Sequence, residues 1–144
     1  MKSRSKSGFT LVEILIVVVI LGILAAIVIP QFSQASTEAR TSSVASNLQM
    51  IRSQVELYKI QHGDAAPATG DLEDDLTGTT TYGGQTFGPY MQKWPVNAVT
   101  GSGVITEVAD MTAFAALAET ADDSDGWVYV LDPGLVYASD DFTH

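Results

Sequence analysis

The chain contains no cysteine. That absence removes thiolate catalysis, cysteine-based zinc sites and disulfide stapling. It leaves an extracytoplasmic location open, because an oxidising compartment permits disulfides without requiring them. Histidine is nearly as scarce, with only His62 and His144 in 144 residues. One ends a predicted helix and the other is the last residue, so neither is placed as a catalytic base or in a metal cluster. No serine or threonine is marked as an activated nucleophile, and an enzyme is not expected. Cations are also few. Seven Lys and Arg face 17 Asp and Glu, a formal net charge of −10. Three of the seven, Lys2, Arg4 and Lys6, precede Gly8, and from Asp64 onward fourteen carboxylates accompany one cation, Lys93. So acidic a segment is repelled by polyanions, which argues against direct nucleic-acid binding.

What is present is unevenly distributed. Residues 1–8 (MKSRSKSG) are short and basic. Residues 9–29 are apolar, and between Ile14 and Ile29 the only interruption is Gly22. At about 1.5 Å per residue a helix over 9–29 spans roughly 31 Å, close to the hydrocarbon thickness of a bilayer. The basic flank predicts that the N-terminus stays cytoplasmic and that the acidic remainder is exported. Glu13 is the oddity, a carboxylate at the edge of this run. Burying a charge at mid-membrane costs about 2.5–3.5 kcal/mol on insertion scales, less near an end. Glu13 therefore either reaches the interface or has a partner.

Pro30 breaks the run, since proline removes a backbone donor and strains the helix behind it. Beyond it, Val44, Leu48, Ile51, Val55 and Tyr58 recur at spacings of four and three on one face of a second helical stretch, 30–62. Gly63 and Asp64 supply its stop. Farther on, the residues from Asp64 to Gly84 read as loop, with a short helix at Leu72–Leu76 capped by Asp71. Thr112–Glu119 is alanine-rich and helical. Gly126–Leu131, Asp132-Pro133-Gly134 and Leu135–Ala138 form a strand–turn–strand pattern. Tyr90, Trp94, Trp127, Tyr129 and Tyr137 are candidates for a small core. The fold class is α+β: a long N-terminal helix, membrane-spanning in its first half and amphipathic in its second, packed on a C-terminal domain at 63–144 with a small antiparallel sheet.

The segment Gly8-Phe9-Thr10-Leu11-Val12-Glu13 followed by ILIVVVILGILAAIVIP closely resembles the prepilin N-terminal motif of type IV pilins and type II secretion pseudopilins. The resemblance covers about 23 residues and rests on the basic leader, the Gly–Phe junction, the glutamate and the apolar helix. It implies a pilin-like lollipop whose 1–8 leader is removed by a prepilin peptidase at the Gly8–Phe9 bond, with N-methylation of Phe9. It further implies that Glu13 sets assembly register by neutralising the new N-terminus of a neighbouring subunit, with Gly22 and Pro30 in the same assembly helix. Gly22 reads equally well as a tolerated membrane-helix glycine, and Pro30 as a kink or a helix boundary. The partners so implied are copies of the chain in a helical filament, an inner-membrane assembly platform, minor pseudopilins and membrane lipid, with the C-terminal domain in the periplasm. No cofactor is required. Major pseudopilins bind calcium in a C-terminal loop, and Asp122, Asp123 and Asp125 are the acidic cluster here that begins such a site; a solvated loop explains the same residues. The expected function is a structural subunit of a type II secretion pseudopilus. Its rivals are a type IV pilus subunit and a membrane-anchored binding protein that never polymerises.

Overall fold

The structure is a computed structural model that describes residues 8–68, 70, 72–118 and 124–142. Its first element is α1, Leu11–Gln61. Internal packing divides the chain into two units, residues 1–38 and 39–144. In the first, α1 carries its apolar residues fully outward: Leu11, Ile14, Val18, Leu21, Leu24, Ile27 and Phe32 are all exposed. The helix runs through Pro30 without ending, so Pro30 is no boundary. Interrupting a helix orphans four carbonyls and four amides, whereas a proline in its interior removes a single hydrogen bond.

The second unit is built on the rest of α1. Val44, Leu48, Ile51, Val55 and Tyr58 are buried on one face, as their spacing predicts. The helix closes where Gly63 and Asp64 take positive φ, with the Asp64 amide donating to the Lys59 carbonyl at 2.8 Å. Short α2, Leu72–Thr77, buries Leu72 and Leu76; its expected cap, Asp71, lies outside the described residues. Then β1 (Thr80–Tyr82) and β2 (Gln85–Phe87) form an antiparallel hairpin, where sequence reasoning saw only loop. Its turn is Gly83-Gly84, at φ 58° and 81°, a pair that meets the left-handed requirement of a two-residue hairpin turn.

β3 (Ile105–Asp110) leads through α3 (Met111–Ala118) to β4 (Trp127–Asp132), and β5 (Leu135–Ala138) returns antiparallel. The hairpin of β4 and β5 is the expected one. β3 is an addition: it pairs with β4 in parallel, giving a three-stranded sheet in the order β3-β4-β5. Trp127 and Tyr129 point from β4 into the core with Val136 and Ala138 from β5, against the buried α1 stripe together with Met91 and Trp94. Arg52 leaves the helical pairing its spacing allows with Glu56. Its Nε donates to the Val136 carbonyl at 2.8 Å, and its guanidinium lies 5.4 Å from the centre of the Tyr137 ring.

Asn97 is fully buried and uses its whole side chain. Nδ2 donates to Gly126 O at 2.9 Å and Asp140 Oδ1 at 2.8 Å, while Oδ1 accepts from the Val99 and Thr100 amides. It pins the 97–102 turn to the entry of β4. Gly126 sits so close to the Ser102 carbonyl that a Cβ would collide with it.

Candidate functional site: the start of α1

The N-terminal end of α1 concentrates the residues that sequence reasoning singled out. Thr10 stands just outside the helix and Glu13 in its first turn. The Thr10 amide and hydroxyl both donate to Glu13 Oε2, each at 2.8 Å, and the Glu13 amide donates to Thr10 Oγ1 at 3.2 Å. This is a reciprocal capping box, which satisfies amides that a helix start leaves unpaired. Thr10 is the functional neighbour that composition and charge do not mark, although Thr-x-x-Glu ahead of an apolar run is the sequence signature of that box. The carboxylate also lies in the first turn, where the helix dipole favours negative charge.

Glu13 is exposed and faces no cation among the described residues. Only Oε2 is engaged by Thr10, so Oε1 remains open to an incoming donor. Phe9, directly before the cap, is 79% exposed. Gly22 has no atom within 4 Å of where a Cβ would stand, so nothing among the described residues requires a glycine there. The same holds for the surrounding apolar surface. An 18-residue window of α1 reaches a mean hydropathy of 3.3 with none of it buried, which makes this helix long and apolar enough to cross a membrane. Burying one such Leu, Ile or Val side chain is worth about 1.5–3 kcal/mol. Exposed apolar surface of this extent favours coverage over contact with water.

The acidic cluster is divided. Asp122 and Asp123 lie outside the described residues. The Asp125 carboxylate accepts from Thr106 Oγ1, and its backbone carbonyl accepts from Ser139 Oγ. Among the described residues no three acidic or histidine side chains converge on a metal position. His62 is buried and fully used. Its Nδ1 is 2.9 Å from the Tyr58 carbonyl and its Nε2 3.0 Å from Thr80 Oγ1, with the ring stacked on Tyr58 at 3.9 Å. It joins the end of α1 to the β1–β2 hairpin. His144 lies outside the described residues.

Comparison with known proteins gives this geometry its context. Residues 3–29 match a family model described as the prokaryotic N-terminal methylation motif. The chain is 42% identical over 62 residues to a type II secretion system core protein G of Pseudomonas aeruginosa, covering 43% of this chain and 44% of that protein. It is 36% identical over 81 residues to the core protein G of Aeromonas hydrophila, covering 56% of each. It is also 40% identical over 86 residues to a type IV major fimbrial protein FimA of Dichelobacter nodosus, covering 56% of this chain and 54% of that protein. The chain thus spans about half the length of the curated relatives it matches. No solved structure matches it.

Proposed function

We propose that this chain, which carries the prepilin-type methylation motif of the type IV pilin and pseudopilin family, is a structural subunit of a membrane-rooted helical filament, the pseudopilus of a type II secretion system. The observation that carries the reading is the start of α1: a capped glutamate that meets no cation among the described residues, opening an apolar helix whose residues are exposed. Relatives named type II secretion core protein G favour a pseudopilus. Relatives named as fimbrial proteins keep the type IV pilus subunit as the second reading.

In this reading a prepilin peptidase cuts between Gly8 and Phe9, and Phe9 is N-methylated. The new ammonium of one subunit meets Glu13 of its neighbour. In an apolar bundle an unpaired charge is penalised far more than a matched pair, so Glu13 holds copies in register. Gly22 lets neighbouring helices approach, and Pro30 lies where the apolar segment gives way to the amphipathic one. Subunits wait in the inner membrane with the N-terminus cytoplasmic and the acidic domain periplasmic, then join the filament through an assembly platform, with minor pseudopilins as companions. The role is mechanical and calls on no resident cofactor. Calcium at Asp125, with Asp122 and Asp123, is a subsidiary proposal, tested by titrating the metal against thermal unfolding of Asp125→Asn.

The test of the main reading is mass spectrometry of the native chain combined with electron microscopy of overproducing cells. The expected N-terminus is methylated Phe9, and the expected filaments contain this chain. Glu13→Ala is expected to keep leader cleavage and lose filaments. A native chain that still begins with Met1, or normal filaments from Glu13→Ala, would overturn the reading.

A further inference from the structure

β3 is an edge strand of the three-stranded sheet, and no strand pairs with its outer side among the described residues. In a parallel pair the amide and carbonyl of one residue point the same way, so alternate residues face the partner strand. The Trp127 amide donates to the Val104 carbonyl at 3.0 Å. This sets the phase: Thr106, Val108 and Asp110 turn their backbone groups to β4, and Ile105, Glu107 and Ala109 turn theirs away. Among the described residues those three make no backbone hydrogen bond on the outer side. Natural sheets seldom leave such an edge bare. The opposite edge is attended, because Arg52 donates to the Val136 carbonyl of β5.

A cleft of about 490 Å³ runs beside the open edge, between Gly70, Leu72 and Glu73 on one side and Val104, Ile105 and Glu107 on the other. Its wall offers apolar surface and two carboxylates. Glu107 Oε2 accepts from the Gly70 amide, which holds that side chain at the rim, and neither glutamate meets a cation among the described residues.

We propose that this cleft is a docking groove for an extended, lysine- or arginine-bearing segment of another protein, which adds to β3 as a strand and sets its cation between Glu73 and Glu107. Strand addition draws affinity from main-chain hydrogen bonds and selectivity from alternate side chains. Charge argues for a foreign occupant over a second copy. Beyond Asp64 this chain has one cation, Lys93. The segment around it holds Pro89 and Pro95 and is tied down by Trp94, whose Nε1 donates to Gly103 O at 3.0 Å. Arg40, Arg52 and Lys59 all lie on α1. No extended basic strand is left in the described part of the chain. Lys2, Arg4 and Lys6 of a second copy are lost with the leader in the proposed function, so the foreign occupant rests on that reading, which the mass of the native N-terminus tests separately from peptide binding.

The experiment uses the full chain in detergent and a short labelled peptide alternating lysine and valine. Its controls are the same peptide N-methylated at alternate amides and one with glutamate for lysine. Binding of the lysine peptide is expected to slow amide exchange at Ile105, Glu107 and Ala109. N-methylation of the pairing edge, the glutamate peptide, or the double variant Glu73→Gln/Glu107→Gln is each expected to weaken binding roughly tenfold or more. Ala109→Pro removes one outward amide without touching the β4 ladder, and it should weaken binding with the unfolding midpoint retained. Equal binding by the N-methylated peptide, protection elsewhere on the acidic surface, no binding at all, or self-association that occupies the cleft would each overturn the proposal.

Discussion

Thr10 and Glu13 exchange three hydrogen bonds at the start of α1, so the glutamate has two separable roles, as a cap and as a charge. Glutamine at position 13 keeps the cap acceptor and removes the charge. Glu13→Gln is therefore expected to retain the helix by circular dichroism and full leader cleavage, yet to form as few filaments as Glu13→Ala by electron microscopy. Wild-type filament numbers from Glu13→Gln would show that the cap, not the charge, is what assembly requires. Asn97 makes a similar point inside the second unit. Asn97→Ala leaves the Gly126 carbonyl and the Val99 amide without their side-chain partner. The expected cost is about 1–3 kcal/mol by denaturant unfolding, because the Gly126 carbonyl keeps the Ser139 amide at 3.3 Å while the Val99 amide loses its acceptor. Tyr129 is the titrating counterpart. Its hydroxyl donates to the Pro67 carbonyl at 2.9 Å, and burial, reinforced by the charges of Glu107 and Asp75, pushes its pKa well above the usual phenol range. A raised phenol pKa means that the fold prefers the neutral form. That stability is complete below the unfolded value of about 10 and is lost as pH rises past it, by up to about 1.4 kcal/mol per pH unit. Tyr129→Phe should lower stability at neutral pH and flatten the alkaline decline in a series of thermal melts. Tyr90, also raised by burial, keeps part of the slope.

At the scale of elements, α3 begins at a side chain whose charge it depends on. Asp110 Oδ1 accepts from the Thr112 amide at 2.8 Å and the Ala113 amide at 2.9 Å, and these bonds hold its carboxyl below the ordinary range. A depressed pKa contributes stability that is present above the unfolded value of about 3.9 and lost as pH falls through the folded one. Protection of the Thr112 and Ala113 amides from exchange, relative to an unstructured chain at the same pH, is expected to fall in that acid window, and Asp110→Asn is expected to remove that pH dependence. α1 teaches a different lesson. Its buried stripe was legible because spacings of four and three place Val44, Leu48, Ile51, Val55 and Tyr58 on one face. At Pro30 the sequence left two outcomes open, a kink within one long helix or a boundary, because the local cost of proline says nothing of the cost of ending the helix. The β1–β2 hairpin was missed despite a direct signal, the Gly83-Gly84 pair between Thr80–Tyr82 and Gln85–Phe87. Its surroundings of Thr, Gly and Asp resemble loop, and the strands are three residues each.

At the scale of the whole molecule, the two units treat their apolar residues differently. Residues 39–144 enclose a core that includes Ile51, Trp127 and Tyr129, each at 0% exposure. Ile51→Ala is expected to cost about 2–5 kcal/mol of its stability, measured by denaturant unfolding in detergent. The apolar part of α1 has no such core among the described residues and is long and apolar enough to cross a membrane.

Composition and periodicity by themselves determined the long α1, its apolar and amphipathic halves, the buried stripe, the β4–β5 hairpin and the segment around Glu13. Each is a local pattern, written in residues within a few turns of one another. Tertiary structure alone decided the rest. β3 joins β4 in parallel through the α3 crossover, and the partner of a parallel strand lies far away in sequence, so no local alternation announces it. The Asn97 network, the Arg52 cover on β5 and the cleft beside β3 likewise bring together residues that are distant along the chain. Such contacts depend on which surfaces meet when the chain packs, and nothing in a single stretch of sequence states that.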